Sequence, residues 1–369
     1  MKIERVDLIQ IKIPIKGHFE TSYGRQYDAE KLVLKFYSPD FIVHTDCAAG
    51  SVPGFSYETL GTAREILKAY ILPAIMGAPL QGPEDFWPRV ARFRGHPMAK
   101  AAVENALWIM KALEEDMPLA RLLGNHQDRV TAGVAIGIQD SAEELLDLVG
   151  RYLELGYRKI KMKIKPGADL DRVAAVRRSF PDILLMVDAN NAYTLDDQDM
   201  IKALDEFNLL LIEQPLAYDD ILDHAKLQKE LETPIGLDES IPGPYQARVA
   251  LELQACRAIN IKQARVGGLT RAKEIHDLCQ AGGVGVWCGG TMETGLGRAV
   301  ITALSGLPNF TFPNDFSASD RYFARDIVDP EFHLNMDGTI SVPQGPGLGV
   351  VVNEPVLDGY TVARDVIRI

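Results

Sequence analysis

The chain has 369 residues, 39 of them basic and 51 acidic, for a net charge of −12. That balance excludes a nucleic-acid partner and an anionic membrane surface, since both need clustered Lys and Arg. At 47% hydrophobic and 24% charged, the composition is that of an ordinary globular protein, too long for one simple core unless that core is a barrel.

The N-terminal segment MKIERVDLIQ alternates apolar and polar residues like a strand and lacks the continuous apolar stretch of a signal peptide. No apolar run reaches the roughly 20 residues that span a bilayer. Cys47, Cys256, Cys279 and Cys288 form no C-x-x-C pair, and no His stands at zinc-ligand spacing from them. They read as free thiols in a reducing cytoplasm. Over the first 125 or so residues, KIERVDLIQIKIPI and KLVLKFYS predict antiparallel strands, and YETLGTAREILKAYILPAI and KAAVENALWIMKALEE predict helices. This predicts an α+β domain over 1–125, to which the tail 321–369 returns with its strand-like GTISVP and GVVV.

From 126 to 320 the pattern changes. Apolar runs begin about every 25 residues: 130–138, 159–164, 183–188, 209–213, 234–238, 258–262, 284–288 and FTFPND at 310–315. Amphipathic segments separate them. Ser141 is placed to cap one and Gly156 to end it, Thr194 with Asp197 to cap another, and Thr270 to cap RAKEIHDLCQ before Gly282-Gly283. Short buried strands alternating with helices predict parallel strands, and eight units predict a closed (β/α) barrel. An open doubly wound sheet is the runner-up, disfavoured because no G-x-G-x-x-G follows the first strand.

Barrel enzymes carry their chemistry at the C-terminal strand ends. Asp188, Glu213 and Asp238 each close an apolar run, at intervals of 25 residues. One such acid alone would also fit a helix cap in a βα loop. Three in register would repel one another without a cation, and an all-oxygen donor set suits Mg²⁺, with Mn²⁺ able to substitute. Lys161 and Lys163 share one strand face, and Lys262 ends the run AINI across the barrel mouth. A lysine in a partly dry pocket can serve as a base near neutral pH. Together these residues suit α-proton abstraction from a metal-held carboxylate, with charge stabilisation of the enediolate.

At this point K-M-K, V-D-A-N-N-A-Y, I-E-Q-P, L-D-E-S, I-N-I-K and W-C-G-G-T-M-E-T-G together resemble the enolase superfamily, muconate-lactonising subgroup. Within it the sequence is most similar to the o-succinylbenzoate synthase / N-succinylamino acid racemase family. The resemblance implies a modified TIM barrel, (β/α)₇β, with a capping domain. It implies Mg²⁺ on Asp188, Glu213 and Asp238, Lys163 and Lys262 as the two acid/base groups, and Lys161 stabilising the substrate carboxylate and enediolate. Asn190 and Glu239 would support metal and lysines. Substrate contacts would come from Phe19, Ser22, Tyr23 and Phe55 in two cap loops, from Gly290 and Glu293, and from Ser319 in F-S-A-S-D-R-Y-F. Arg265, three residues past Lys262, stands where a cation would tune that lysine. A homo-oligomer acting on a small carboxylate is implied, either dehydrating a cyclohexadiene carboxylate to o-succinylbenzoate for menaquinone synthesis or racemising N-succinylamino acids.

Two departures from the family pattern, HTDCAAG at 44–50 and W-I-M-K at 108–111, lie in the cap and bear on substrate identity. A dipeptide epimerase would carry Asp-x-Asp at the eighth strand, where TFPNDFSAS stands. Muconate-type cycloisomerisation fits the motifs but lacks its substrate-loop signatures. A mandelate-type His base is absent from the strand ends. A Schiff-base aldolase would not need three carboxylates, and a degenerate scaffold would not keep all five polar groups.

Overall fold

The computed structural model of the chain describes residues 1–21 and 24–368, without the side chains of 19–21 and 24. Ser22, Tyr23 and the Phe19 side chain therefore lie outside the described residues.

The N-terminal part forms an antiparallel sheet from β1 (Arg5–Thr21), β2 (Gly24–Tyr37) and β3 (Ile42–Cys47). Its order is completed on the outer edge of β1 by the last strand of the chain. Alternation drives it: Ile9, Ile11 and Ile13 point inward, fully buried, while Lys12 and Pro14, on either side of Ile13, face out. The helix Pro97–Glu114 packs on β3, where Thr45 Oγ1 donates to Ala102 O at 2.7 Å. Pro97 starts it, and the Glu58 carboxylate accepts from the free amides of Met98 and Ala99 at 2.7 and 3.0 Å.

The barrel run at 130–138 divides in two, as β4 (Arg129–Thr131) and β5 (Val134–Ile136). The break is at Gly133, where a Cβ would lie 2.3 Å from Asn314 O, so only glycine admits the closing segment. Six further parallel strands follow: β6 (Lys159–Lys163), β7 (Leu184–Asp188), β8 (Ile212–Glu213), β9 (Ile235–Leu237), β10 (Ala258–Asn260) and β11 (Gly285–Trp287). Strands β5 to β11 form one seven-stranded sheet in sequence order. The expected eighth strand at 310–315 does not form a regular ladder, because Pro313 has no N–H to contribute. The segment still closes the barrel. Phe312 N donates to Val286 O and Asp315 N to Cys288 O on one side, and Gly133 N donates to Phe316 O on the other. The interior is filled by Met186, Leu211, Ala258 and Trp287, all fully buried.

Ser141 caps the helix Ala142–Glu154 through the Glu144 amide, with Gly156 beyond it at φ +107°, and Thr194 and Asp197 form a reciprocal cap. Thr270 does not cap its helix. Leu269–Ala281 begins two residues before Arg271, and the orphan amides of Leu269 and Thr270 go to the buried Glu104 carboxylate from the helix Pro97–Glu114, at 2.7 and 3.0 Å. The cap domain thus terminates a barrel helix.

The tail supplies β12 (Val328–Asp329), β13 (Thr339–Ser341), β14 (Val351–Val352) and β15 (Thr361–Arg368). β13 pairs with β4, β12 with β14, and β15 with β1 from Arg5↔Arg368 onward. All four cysteines are buried and unpaired. Among the described residues no helix is long and apolar enough to cross a membrane.

Candidate active site

Strand β6 alternates, so Lys159, Lys161 and Lys163 project to one side at increasing height in the barrel. Lys159 is fully buried and donates to Asp315 Oδ1 at 2.6 Å. Lys161 stands among three carboxylates: Glu213 at 2.6 Å, Asp188 at 2.9 Å and Asp315 at 3.0 Å. Lys163, nearest the mouth, donates to Asp188 Oδ2 at 2.6 Å and Asn190 Oδ1 at 2.5 Å. Across the mouth, two residues past the end of β10, Lys262 donates to Asp238 Oδ2 at 2.7 Å and lies 4.4 Å from the centre of the Phe55 ring.

Burial alone would discharge these groups, so the pairs decide their state. Burial works against the Lys161 ammonium, but Asp188, Asp315 and Glu213 outweigh it and raise its pKa well above the ordinary value. Asp188 is opposed by burial yet held far below the carboxylate range by Lys161 and Lys163. Glu213 is pushed up, by burial first and by the Asp188 charge second. Glu239 is likewise raised by burial and by Asp188. Its Oε1 accepts from Asn190 Nδ2 at 3.0 Å, while its Oε2 is buried without a hydrogen-bond partner.

These residues bound a cavity of about 220 Å³ between the cap sheet and the barrel mouth. Lys161, Lys163, Lys262 and Asn190 line it, as do Phe55, Gly290 and Glu293. Asp188, Glu213 and Asp238 lie behind the lysines, each at most 1% exposed. Among the described residues no three His, Cys, Asp or Glu side chains converge as a ready-made ion cage, because each acid leans on its own lysine. Glu293 Oε1 accepts from the Thr291 amide at 2.6 Å and hydroxyl at 2.8 Å, shaping the loop after β11.

One expected substrate contact is corrected, and Arg265 is placed. Ser319 is fully buried and gives its hydroxyl to Asp326 Oδ2 at 2.6 Å, away from the cavity, whose lining on that side is Phe316, Ser317 and Tyr322. Arg265 is also buried. It donates to Ile241 O and Asn260 O and its guanidinium meets the Asp238 oxygen opposite Lys262, so the two cations share one carboxylate.

Other residues were not singled out from sequence. Asp315 collects Lys159, Lys161 and Trp287 Nε1, the last at 2.7 Å. It too closes an apolar run, the signal that marked the other acids. Asn260 donates to Glu213 Oε1 at 3.0 Å and accepts from Gly289 N at 2.7 Å. Gln214, at φ +40°, accepts from the amides of Asp238 and Ser240 and so ties the ends of β8 and β9 together.

The comparisons with known proteins agree with this architecture. Residues 144–356 match the family described as enolase C-terminal domain-like, and residues 39–124 match the mandelate racemase / muconate lactonizing enzyme N-terminal domain. The o-succinylbenzoate synthase of Geobacillus kaustophilus is 46% identical over 98% of this chain and 96% of its own length. The N-succinylamino acid racemase of an Amycolatopsis species is 45% identical over 99% of both. A crystal structure of an enolase-superfamily member from Listeria innocua superposes with a TM-score of 0.96 at 40% identity, covering 100% of this chain and 99% of that one. The chain therefore belongs to the enolase superfamily, among the o-succinylbenzoate synthases and N-succinylamino acid racemases.

Proposed function

We propose that the chain removes the proton next to a substrate carboxylate, from either face, as an N-succinylamino acid racemase that also dehydrates the o-succinylbenzoate precursor. The observation that carries this reading is the placing of Lys163 and Lys262 on opposite sides of one cavity, each held by a different buried carboxylate.

The donor set fits a hard divalent cation. Asp188, Glu213 and Asp238 offer only oxygens, Glu239 adds a buried oxygen without a hydrogen-bond partner, and the pKa values of Glu213 and Glu239 are raised by burial first and by the Asp188 charge second. Asp188, Glu213 and Asp238 would hold Mg²⁺, or Mn²⁺ in its place, which when bound supplies the positive charge that acidifies the α-carbon and stabilises the enediolate. Lys161 stays an ammonium and adds fixed charge beside the substrate carboxylate. Lys163, as the free amine, takes the α-proton from one face. Lys262, as the ammonium, returns a proton to the other face, and the reverse reaction exchanges their roles. In dehydration the electron pair left on carbon expels hydroxide from the neighbouring carbon, and an ammonium proton turns it into water. Phe55 over Lys262 keeps bulk water from that nitrogen. Asp315 is committed to Lys159, Lys161 and Trp287, which argues against a dipeptide ammonium binding there. The buried free thiols suit a reducing cytoplasm.

The test is incubation with N-succinyl-L-phenylalanine in D₂O with Mg²⁺, following α-deuteration by NMR and loss of optical rotation, beside an assay for o-succinylbenzoate formation. Both activities, each abolished by EDTA, are expected. Dehydration without racemisation would leave a dedicated synthase. Metal binding with neither activity would sink both assignments.

A further inference from the structure

The cavity holds a cation that the proton transfer does not use. Lys31 lies on β2, on the inward face with Ala29 and Val33, and is 5% exposed. It lines the cavity from the cap side. Its ammonium can donate three hydrogen bonds and is recorded making one, to Thr291 O at 3.0 Å. Among the described residues no carboxylate oxygen stands within 4.0 Å of its nitrogen. The acids around it are engaged elsewhere. Asp46 Oδ2 accepts from the Thr294 amide at 3.1 Å and hydroxyl at 2.7 Å, and Glu293 Oε1 accepts from Thr291. Arg298, another buried cation of the lining, has its terminal nitrogens on Ser317 O and Glu293 O.

Asp46 feels the Lys31 charge without touching it. Burying an ammonium with no carboxylate in contact is costly, and an anion brought into the cavity would offset that cost. The substrate's reacting carboxylate belongs at the barrel mouth, beside Lys161 and between Lys163 and Lys262. Lys31 reaches the same cavity from the opposite, cap wall. We infer that Lys31 receives a second carboxylate, the one ending the substrate's acyl arm. The inference rests on the proposed function and deepens it. The enzyme selects dianionic substrates whose acyl arm ends in a carboxylate, and the cap strand β2 performs the selection. Lys31 is then a specificity-determining residue rather than an acid or base.

The test compares two ligands that differ only in that terminal charge, N-succinyl- and N-succinamoyl-L-phenylalanine. Binding to the Mg²⁺-loaded protein is measured by calorimetry, and α-deuteration is followed in parallel. The wild type is expected to bind the succinyl compound about tenfold or more tightly than the amide, the range of a charge-assisted hydrogen bond. Lys31→Met is expected to bring that ratio close to one, and Lys31→Arg to keep most of it. Equal binding of the two ligands by the wild type overturns the inference without any variant. So does an unchanged ratio in Lys31→Met, or a loss that affects both ligands equally. A Lys31-dependent ratio with no α-deuteration of either compound would support the charge site and sink the proposed reaction instead.

Discussion

At the scale of single residues, the site is a set of lysines whose roles are divided by their partners. Lys163 and Lys262 each lean on one carboxylate, while Lys161 leans on three and keeps its proton. Replacing Lys163 or Lys262 by Ala should each lower racemisation by about 100-fold or more. Each single variant keeps one lysine and should still exchange the α-proton of one enantiomer, the opposite one in the two variants, and enantiomer-resolved deuterium incorporation reads this directly. Asp315 gives a stability prediction with a sign. Burial would raise its pKa, but Lys159 and Lys161 outweigh it and hold it at about 2, below the ordinary 3.8. A folded pKa below the unfolded one means stability that is fully present above about pH 4 and is lost as pH falls toward 2. Asp315→Asn should therefore cost about 3 kcal/mol at pH 7 by urea denaturation, since it takes the carboxylate partner from the buried Lys159 and one of three from Lys161. The gap from wild type should narrow below pH 4. Asp315 was as legible as Asp188, because both close an apolar run. What sets it apart is its partners, Lys159, Lys161 and Trp287, which come from two other strands.

At the scale of elements, one contact joins cap and barrel where local sequence pointed elsewhere. Thr270 stands before RAKEIHDLCQ as a local cap, but the helix Leu269–Ala281 takes its cap from Glu104, 165 residues away in the chain. No local rule can find such a partner. Gly268, at φ +120°, is what lets the acid in, since a Cβ there would lie 2.3 Å from Glu104 Oε2. Glu104→Ala should cost about 1–2 kcal/mol from the lost cap alone, read by chemical denaturation. Gly268→Ala should cost a similar amount. The double variant should fall short of the sum, because both changes break one network. Strand β15 offers a second prediction of this kind. Removing residues 361–368 uncovers the β1 edge from Arg5 to Ile11, and concentration-dependent aggregation should follow by light scattering.

At the scale of the whole molecule, the acids of the barrel mouth are each paired with a lysine, Glu213 with Lys161, Asp188 with Lys163 and Asp238 with Lys262. Chelation with EDTA should therefore abolish α-proton exchange while leaving far-UV circular dichroism unchanged. Ion affinity should also fall with acidification. Glu213 and Glu239 have pKa values raised by burial and by Asp188, and the protonated carboxyl does not ligate. Mg²⁺ titrations at pH 8 and pH 5.5 should give weaker binding at the lower pH, and equal affinities would show that these acids take no part.

The amino-acid sequence by itself determined the strand ends and the acids and lysines on them. Hydrophobic period and side-chain alternation are local, and a barrel turns each strand end toward one common mouth whatever the loops do. It likewise determined the caps at Ser141 and Thr194, whose partners lie within three residues. Tertiary structure alone decided the rest. It split the first barrel run at Gly133, closed the barrel with a segment that Pro313 keeps from being a regular strand, and turned Ser319 away to Asp326. It also brought Lys31 from the cap to the wall of the barrel's cavity. Alternation in KLVLKFYS sets Lys31 on the face opposite Leu32, Leu34 and Phe36, beside Val33 and Lys35, and that this face is covered by the barrel is decided by the packing of two domains. Long-range partners of buried charges are chosen by that packing, and no window of sequence contains it.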